Sequence, residues 1–202
     1  MRFIANLTAA AAASLLISGM AAATPVTIDF NGLTGSGLVA RGTSYSEDGY
    51  TLSARGSFIS VQAGNFRYSG SVSMYNNVAN GVITLSKAGG GSFALDAIDL
   101  DSINGSAAVT VTFTAQLLGG GSAKQSFTTD AAVGSYQTFS FGSAFDAVTS
   151  VSWTQASPYH SFDNILINAD SSANAVPEPA SLALAGLALL GLAANRRRRP
   201  QV

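Results

Sequence analysis

The residues best placed to do chemistry stand in Phe162-Asp163-Asn164-Ile165, where two apolar residues flank two oxygen-bearing side chains. Phe162 and Ile165 would anchor a last strand, leaving the oxygens of Asp163 and Asn164 on offer. Asp29, Glu47 and Asp48 are candidate co-ligands. Calcium takes six to eight oxygen ligands, so these residues form a calcium site only if their segments converge. Otherwise Asp163 caps backbone groups at a strand end. Asp96, Asp99 and Asp101 form a second acidic cluster. Strand alternation puts Asp99 and Asp101 on one face and Asp96 on the other. They read as a second cation site or as solvated carboxylates that block edge-to-edge aggregation.

His160 is the single histidine, in Ser157-Pro158-Tyr159-His160-Ser161. It could serve as a general base, but no Gly-x-Ser-x-Gly nucleophile elbow accompanies it. No close pair of carboxylates of the glycosidase kind is evident either. His160 therefore reads as a loop residue that touches a ligand rather than a catalyst, and no catalytic residue is assigned. Tyr68, Tyr75 and Tyr159 lie in loop-like sequence and could stack on pyranose rings. Tyr45 and Tyr50 are further candidates, whereas Trp153 alternates with Val151 and reads as core.

These residues must be positioned by strands. Val26–Phe30, Tyr50–Ser53, Phe58–Val61, Val82–Leu85, Phe93–Leu100, Ala108–Ala115, Lys124–Thr128, Tyr136–Phe141, Val148–Thr154 and Phe162–Asn168 are short apolar or period-two runs separated by Gly-rich and Ser-rich turns. Gly32–Gly37 and Phe66–Asn77 read as loops. No sustained helical stripe occurs outside the two ends. The expected fold is all-β: an antiparallel, jelly-roll-like β-sandwich flanked by an N-terminal signal helix and a C-terminal hydrophobic helix.

Composition excludes several classes. The 202-residue chain has no cysteine, so disulfides, thiolate metal sites and cysteine nucleophiles are absent. Between the two ends, five basic residues face ten acidic ones. That lacks the cationic footprint nucleic-acid binding needs. The surface is rich instead in Ser, Thr, Gly, Asn and Gln, which suits neutral polar partners.

The ends carry addresses. Arg2 precedes an Ala/Leu-rich stretch reaching Ala23, and Ala21 and Ala23 are the small residues that a signal peptidase reads, which predicts a signal peptide over residues 1–23. Asn6, Thr8, Ser14 and Ser18 interrupt the apolar run and argue against a permanent anchor. A sandwich domain is expected over 24–169 and a polar linker over 170–175. Residues 176–202 contain Pro177-Glu178-Pro179, an apolar helix over 180–194, and Arg196, Arg197, Arg198 and Arg199. The prolines keep the entry extended. At 1.5 Å per residue the helix reaches roughly 22 Å, and the arginines hold its end on the cytoplasmic side.

This ordered tail resembles the PEP-CTERM sorting signal of Gram-negative bacteria. The resemblance implies export, a precursor held transiently in the inner membrane, and recognition by exosortase, a membrane protease-transpeptidase that removes the helix and basic end. Residues 90–168 also resemble exported PEP-CTERM domains, through Phe93–Leu100, the triple-Gly hairpin, Thr138–Phe141, Val148–Trp153 and Phe162–Ile165. Those domains are similar to galactose-binding-like and carbohydrate-binding-module jelly rolls, in which a last-strand acid often helps hold a structural calcium. Here that implies Asp163 and Asn164 with Asp29. The expected function is non-enzymatic: a surface-sorted protein of the extracellular matrix, associated with biofilm or exopolysaccharide. The alternative is a lectin-like carbohydrate-binding module, calcium-stabilised; a hydrolase is the weakest reading.

Overall fold

The computed structural model describes residues 24–104 and 107–169. The expected signal and C-terminal helices lie outside these residues, as do Ala21, Ala23, Pro177–Pro179 and Arg196–Arg199. No helix among the described residues is long and apolar enough to cross a membrane.

The described residues form eleven strands: β1 Val26–Ile28, β2 Leu38–Glu47, β3 Tyr50–Val61, β4 Ser73–Asn76, β5 Val82–Lys87, β6 Leu95–Ser102, β7 Thr110–Leu117, β8 Ser122–Thr128, β9 Gln137–Ser140, β10 Val148–Thr154 and β11 His160–Ile167. All pairings are antiparallel, in the order β8-β7-β10-β5-β3-β4-β11-β6-β9, with β2 beside β3 and β1 beside β11.

The twelve-residue β3 links two layers. Its first half pairs with β5 (Leu52 opposite Leu85) and its second half with β4 (Ile59 opposite Tyr75). Gly56 lies between the halves at φ +119°, and a Cβ there would stand 2.5 Å from Val78 Cγ2. Only glycine fits both that backbone and that contact. β2 follows the bend through bulges around Gly42 and so edges both layers. The first layer is β8-β7-β10-β5 with the start of β3 and the end of β2. The second is the rest of β2 and β3, then β4, β11, β6 and β9, with β1 along β11.

The layers meet over an aromatic core. Trp153 of β10 meets Phe162 of β11 edge-on, with centroids 5.3 Å apart. Phe162 continues to Phe30, and Trp153 to Phe113. At the far edge Phe127 of β8 stacks on Phe139 of β9 at 4.9 Å. Gln125 joins the same two edges, donating to the Ser140 carbonyl and accepting from the Gly142 amide.

The all-β expectation holds, with differences in detail. The two expected strands at 50–53 and 58–61 are one bent strand. β2 and β4 fall where loops or polar sequence were expected. β2 shows no apolar face because, as an edge of both layers, none of its residues is fully buried. β4 is buried on both faces, because loops cover the outer face of the second layer. That cover is polar: the amides of Gly134 and Ser135 reach Asp101, and the Tyr136 hydroxyl pairs with Ser161 at 2.7 Å. The outer face of the first layer has no such roof among the described residues.

Candidate functional site

The carboxylates gather on β6 and β11. Asp163 stands directly opposite Asp99 in the register. Asn164, at φ +45°, donates its backbone N–H to Asp163 Oδ1 (2.7 Å) and its side-chain amide to Asp99 Oδ2 (2.8 Å). Asp99 Oδ1 accepts from the Thr138 hydroxyl at 2.5 Å. Asp163 is only 1% exposed. Burial pushes its carboxyl up to about 7, and the nearby charges of Asp99 and Asp29 add to the rise. Ser71 tempers that rise, yet its hydroxyl bonds Asn31 Oδ1 (3.4 Å) and Asp163 Oδ2 is left without a donor.

The cation expectation meets a partial fit here. Asp163 offers a buried free oxygen, and Asp29 is close enough to raise its pKa. Asp29 Oδ1, however, accepts from the Asn31 amide, and the Asn164 amide is held by Asp99. Glu47 turns elsewhere, accepting from Phe30 N–H (3.3 Å) and the Tyr45 hydroxyl (3.0 Å). Among the described residues no group of three or more His, Cys, Asp or Glu is arranged to hold a metal ion.

The other acids have structural partners. Asp101, 1% exposed, binds the roof loop through its amides, and burial raises its pKa. It is therefore not a solvated edge carboxylate. Asp96 Oδ2 accepts from Ala169 N–H at 2.8 Å. Asp96 also borders a cleft of about 340 Å³ with Phe141, Asp146 and Leu166.

His160 is not in a loop. It opens β11 and is fully buried. Its Nδ1 faces Gln155 Nε2 (3.3 Å) and Ala156 N–H (3.4 Å), and its Nε2 has no partner. Burial drives its pKa down to about 3, so the ring is neutral near pH 7 and walled off from any substrate proton.

The structure brings the predicted tyrosines together, burying Tyr75 and leaving Tyr68 and Tyr159 half-buried. Tyr75 is 8% exposed and packs on Tyr159, with centroids 6.0 Å apart. Tyr75 belongs to a small buried cluster with Val61 and Ile103, against which Tyr68 and Tyr159 pack. The Tyr159 hydroxyl accepts from Ala79 N–H, and the Tyr68 hydroxyl donates to Gly70 O. Tyr50 is buried and accepts from Asn168. The sequence reading passed over Phe66. It is 78% exposed beside this cluster, with the Arg67 guanidinium 4.3 Å from its ring centroid. An aromatic flanked by Asn65 and Arg67 in a polar loop was the available signal. Trp153 is core, as expected, at 2% exposure.

Comparison with known proteins assigns one segment. Residues 175–199 carry a PEP-CTERM protein-sorting motif. A comparison with the curated proteins finds no match. Among solved structures, the chain is similar to a mutant of the family 29 carbohydrate-binding module CBM29-2 complexed with mannohexaose. The identity is 16% over 71% of this chain and 89% of that one, with a TM-score of 0.41. A structure described as carbohydrate binding module family 29 gives 18% identity over 71% and 86% of the two chains, with a TM-score of 0.35. Overlaps this loose say nothing about a ligand. The motif marks an exported protein whose membrane-anchored precursor is processed by exosortase.

Proposed function

We propose that this chain is a non-catalytic protein of the extracellular matrix, sorted by exosortase to the cell surface, where it associates with exopolysaccharide. The sorting motif at 175–199 carries this reading. It is supported by the hydroxyl-rich, lysine-poor surface of the folded domain and by a lone histidine sealed in the core. In this reading signal peptidase cuts after Ala23, residues 24–169 are the working domain, 170–175 form the linker, and Pro177-Glu178-Pro179 with Arg196–Arg199 present the tail to exosortase. The jelly-roll description belongs to the same reading, since β10 lies between β5 and β7, and β11 between β4 and β6.

Deleting exosortase from the host tests it. The full chain should then accumulate in the inner membrane and leave the surface and medium fractions. Unchanged surface display in that strain would sink the sorting reading.

A second reading is a calcium-stabilised carbohydrate-binding domain. The free buried oxygen of Asp163, facing Asp99 and near Asp29, favours its calcium part.

A further inference from the structure

The open outer face of the first layer is tiled with hydroxyls in register. One rank crosses six strands as Lys124, Thr114, Ser152, Thr84, Ser53 and Ser44. The next crosses the same strands as Ser122, Gln116, Ser150, Ser86, Thr51 and Ser46. Ten of these twelve positions carry hydroxyls, Lys124 is the one charge, and none is aromatic. All twelve are exposed or half-buried, while the residues between them (Leu52, Leu85, Phe113, Val151) are core. Beyond these ranks the tiling continues with Thr112 paired to Ser126 and Thr110 to Thr128, each hydroxyl pair 2.8 Å apart.

Core packing explains only the inward half of that alternation. Outward positions of a strand tolerate charge, and the acidic residues of this domain all stand elsewhere than on the two ranks. With one cation, the two ranks are a poor match for a polyanion. With no apolar side chain among them, Val82 beside Thr84 being an exposed exception on the same face, they are a poor match for a membrane or an apolar partner. Each hydroxyl both donates and accepts. Neighbouring hydroxyls of a rank repeat at the strand spacing, about 4.8 Å, so a rank spans roughly 24 Å. That repeat is comparable to the advance of one sugar along an extended pyranose chain.

We infer that this Ser/Thr face is the contact surface for an uncharged polysaccharide, its chain lying across the strands along the ranks. The inference rests on the matrix reading above and gives it a surface and a ligand class. Sheet twist sharpens it. Adjacent strands rotate by about 20–25°, so six strands turn a rank through roughly 100–125°. A rigid crystalline surface cannot follow that turn, but a single flexible chain can. The ligand is therefore a soluble or amorphous neutral glycan, held by many weak hydrogen bonds and no aromatic stacking.

The test uses the full-length chain expressed in its host and recovered in processed form. Its migration is measured in native gels containing a soluble neutral β-glucan, alginate or no polymer, with a pull-down on crystalline cellulose alongside. Retardation by the neutral glucan alone, with little pull-down, is expected. The triple variant Thr51→Val, Thr84→Val, Thr114→Val keeps side-chain shape and strand preference but deletes three hydroxyls. It should bind the glucan at least about tenfold more weakly with an unchanged melting midpoint. Ser152→Glu should weaken binding in the same way. Retardation that survives both changes but vanishes in Tyr159→Ala overturns the inference and moves the contact to the aromatic cluster, leaving the matrix reading intact. Retardation by no polymer overturns the inference and the polysaccharide part of that reading together, while exosortase dependence of surface display tests the sorting separately.

Discussion

Asp163→Asn should make the protein more stable, and by an amount that depends on pH. The wild-type carboxyl is buried, lacks a donor on Oδ2, and has its pKa pushed from 3.8 to about 7. Between those values the native state holds a proton that the unfolded chain releases. The stability tied to that proton is complete below about pH 4 and is lost as pH rises through 7. A shift of about 3 units corresponds to about 4 kcal/mol at full deprotonation. An asparagine stays neutral throughout, and its amide faces the Asp99 carboxylate across the strand pair. The stability difference between variant and wild type should therefore be small at pH 4, grow from there to pH 7, and level off near pH 8 at up to about 4 kcal/mol. His160 titrates with the opposite sign but is present in both proteins, so it cancels from the difference. Urea unfolding at half-unit steps from pH 4 to 8.5 measures this. A difference that stays flat with pH, or a variant that is less stable at pH 8, refutes the reasoning.

His160 should show no imidazole titration between pH 5 and 8 by NMR, because burial holds its pKa near 3. The His160 contribution alone should cost the wild type stability as pH falls from 6.5 towards 3, where the unfolded ring takes a proton that the native ring refuses, and it runs against the gain that Asp163 brings over the same range. That loss should be absent from His160→Gln. Gly56→Ala should cost at least about 2 kcal/mol in a thermal or urea melt, through a backbone at φ +119° and a Cβ driven onto Val78; a loss under about 0.5 kcal/mol would contradict the bend described for β3. If Asp163 and its neighbours hold calcium, millimolar calcium should raise the melting temperature at pH 8 in wild type and have no effect in Asp163→Asn. An identical calcium response in both would remove Asp163 from the site.

The strands whose inner and outer faces differ in polarity were legible in the sequence. β5, β7 and β10 bury one face and solvate the other, so Ile83/Leu85, Val111/Phe113 and Val151/Trp153 announce the core. β2 was not legible, because an edge serving two layers buries no face completely. Neither was the single bent β3, since the need for Gly56 comes from Asn76 and Val78, twenty or more residues away. The same long-range gap hid the fate of the site residues. Tyr75, Asp101 and His160 have polar or loop-like neighbours in sequence, yet loops arriving from elsewhere bury all three. The sequence singles out Asp163 and Asn164 as an oxygen-bearing pair, but only the register shows Asp99 opposite them. The Thr and Ser alternation was visible strand by strand. Its alignment into ranks depends on pairings such as Ser152 with Thr84 and Ser53 with Thr84, which no local window contains.

Intact-mass analysis of the protein from the cell-surface and medium fractions of its host tests the central claim most directly. The account predicts a species that begins at Thr24, ends near Pro177 and has lost Arg196–Arg199, with or without a glycan or lipid adduct. A species in the inner membrane that retains all four arginines, with none at the surface, would contradict it.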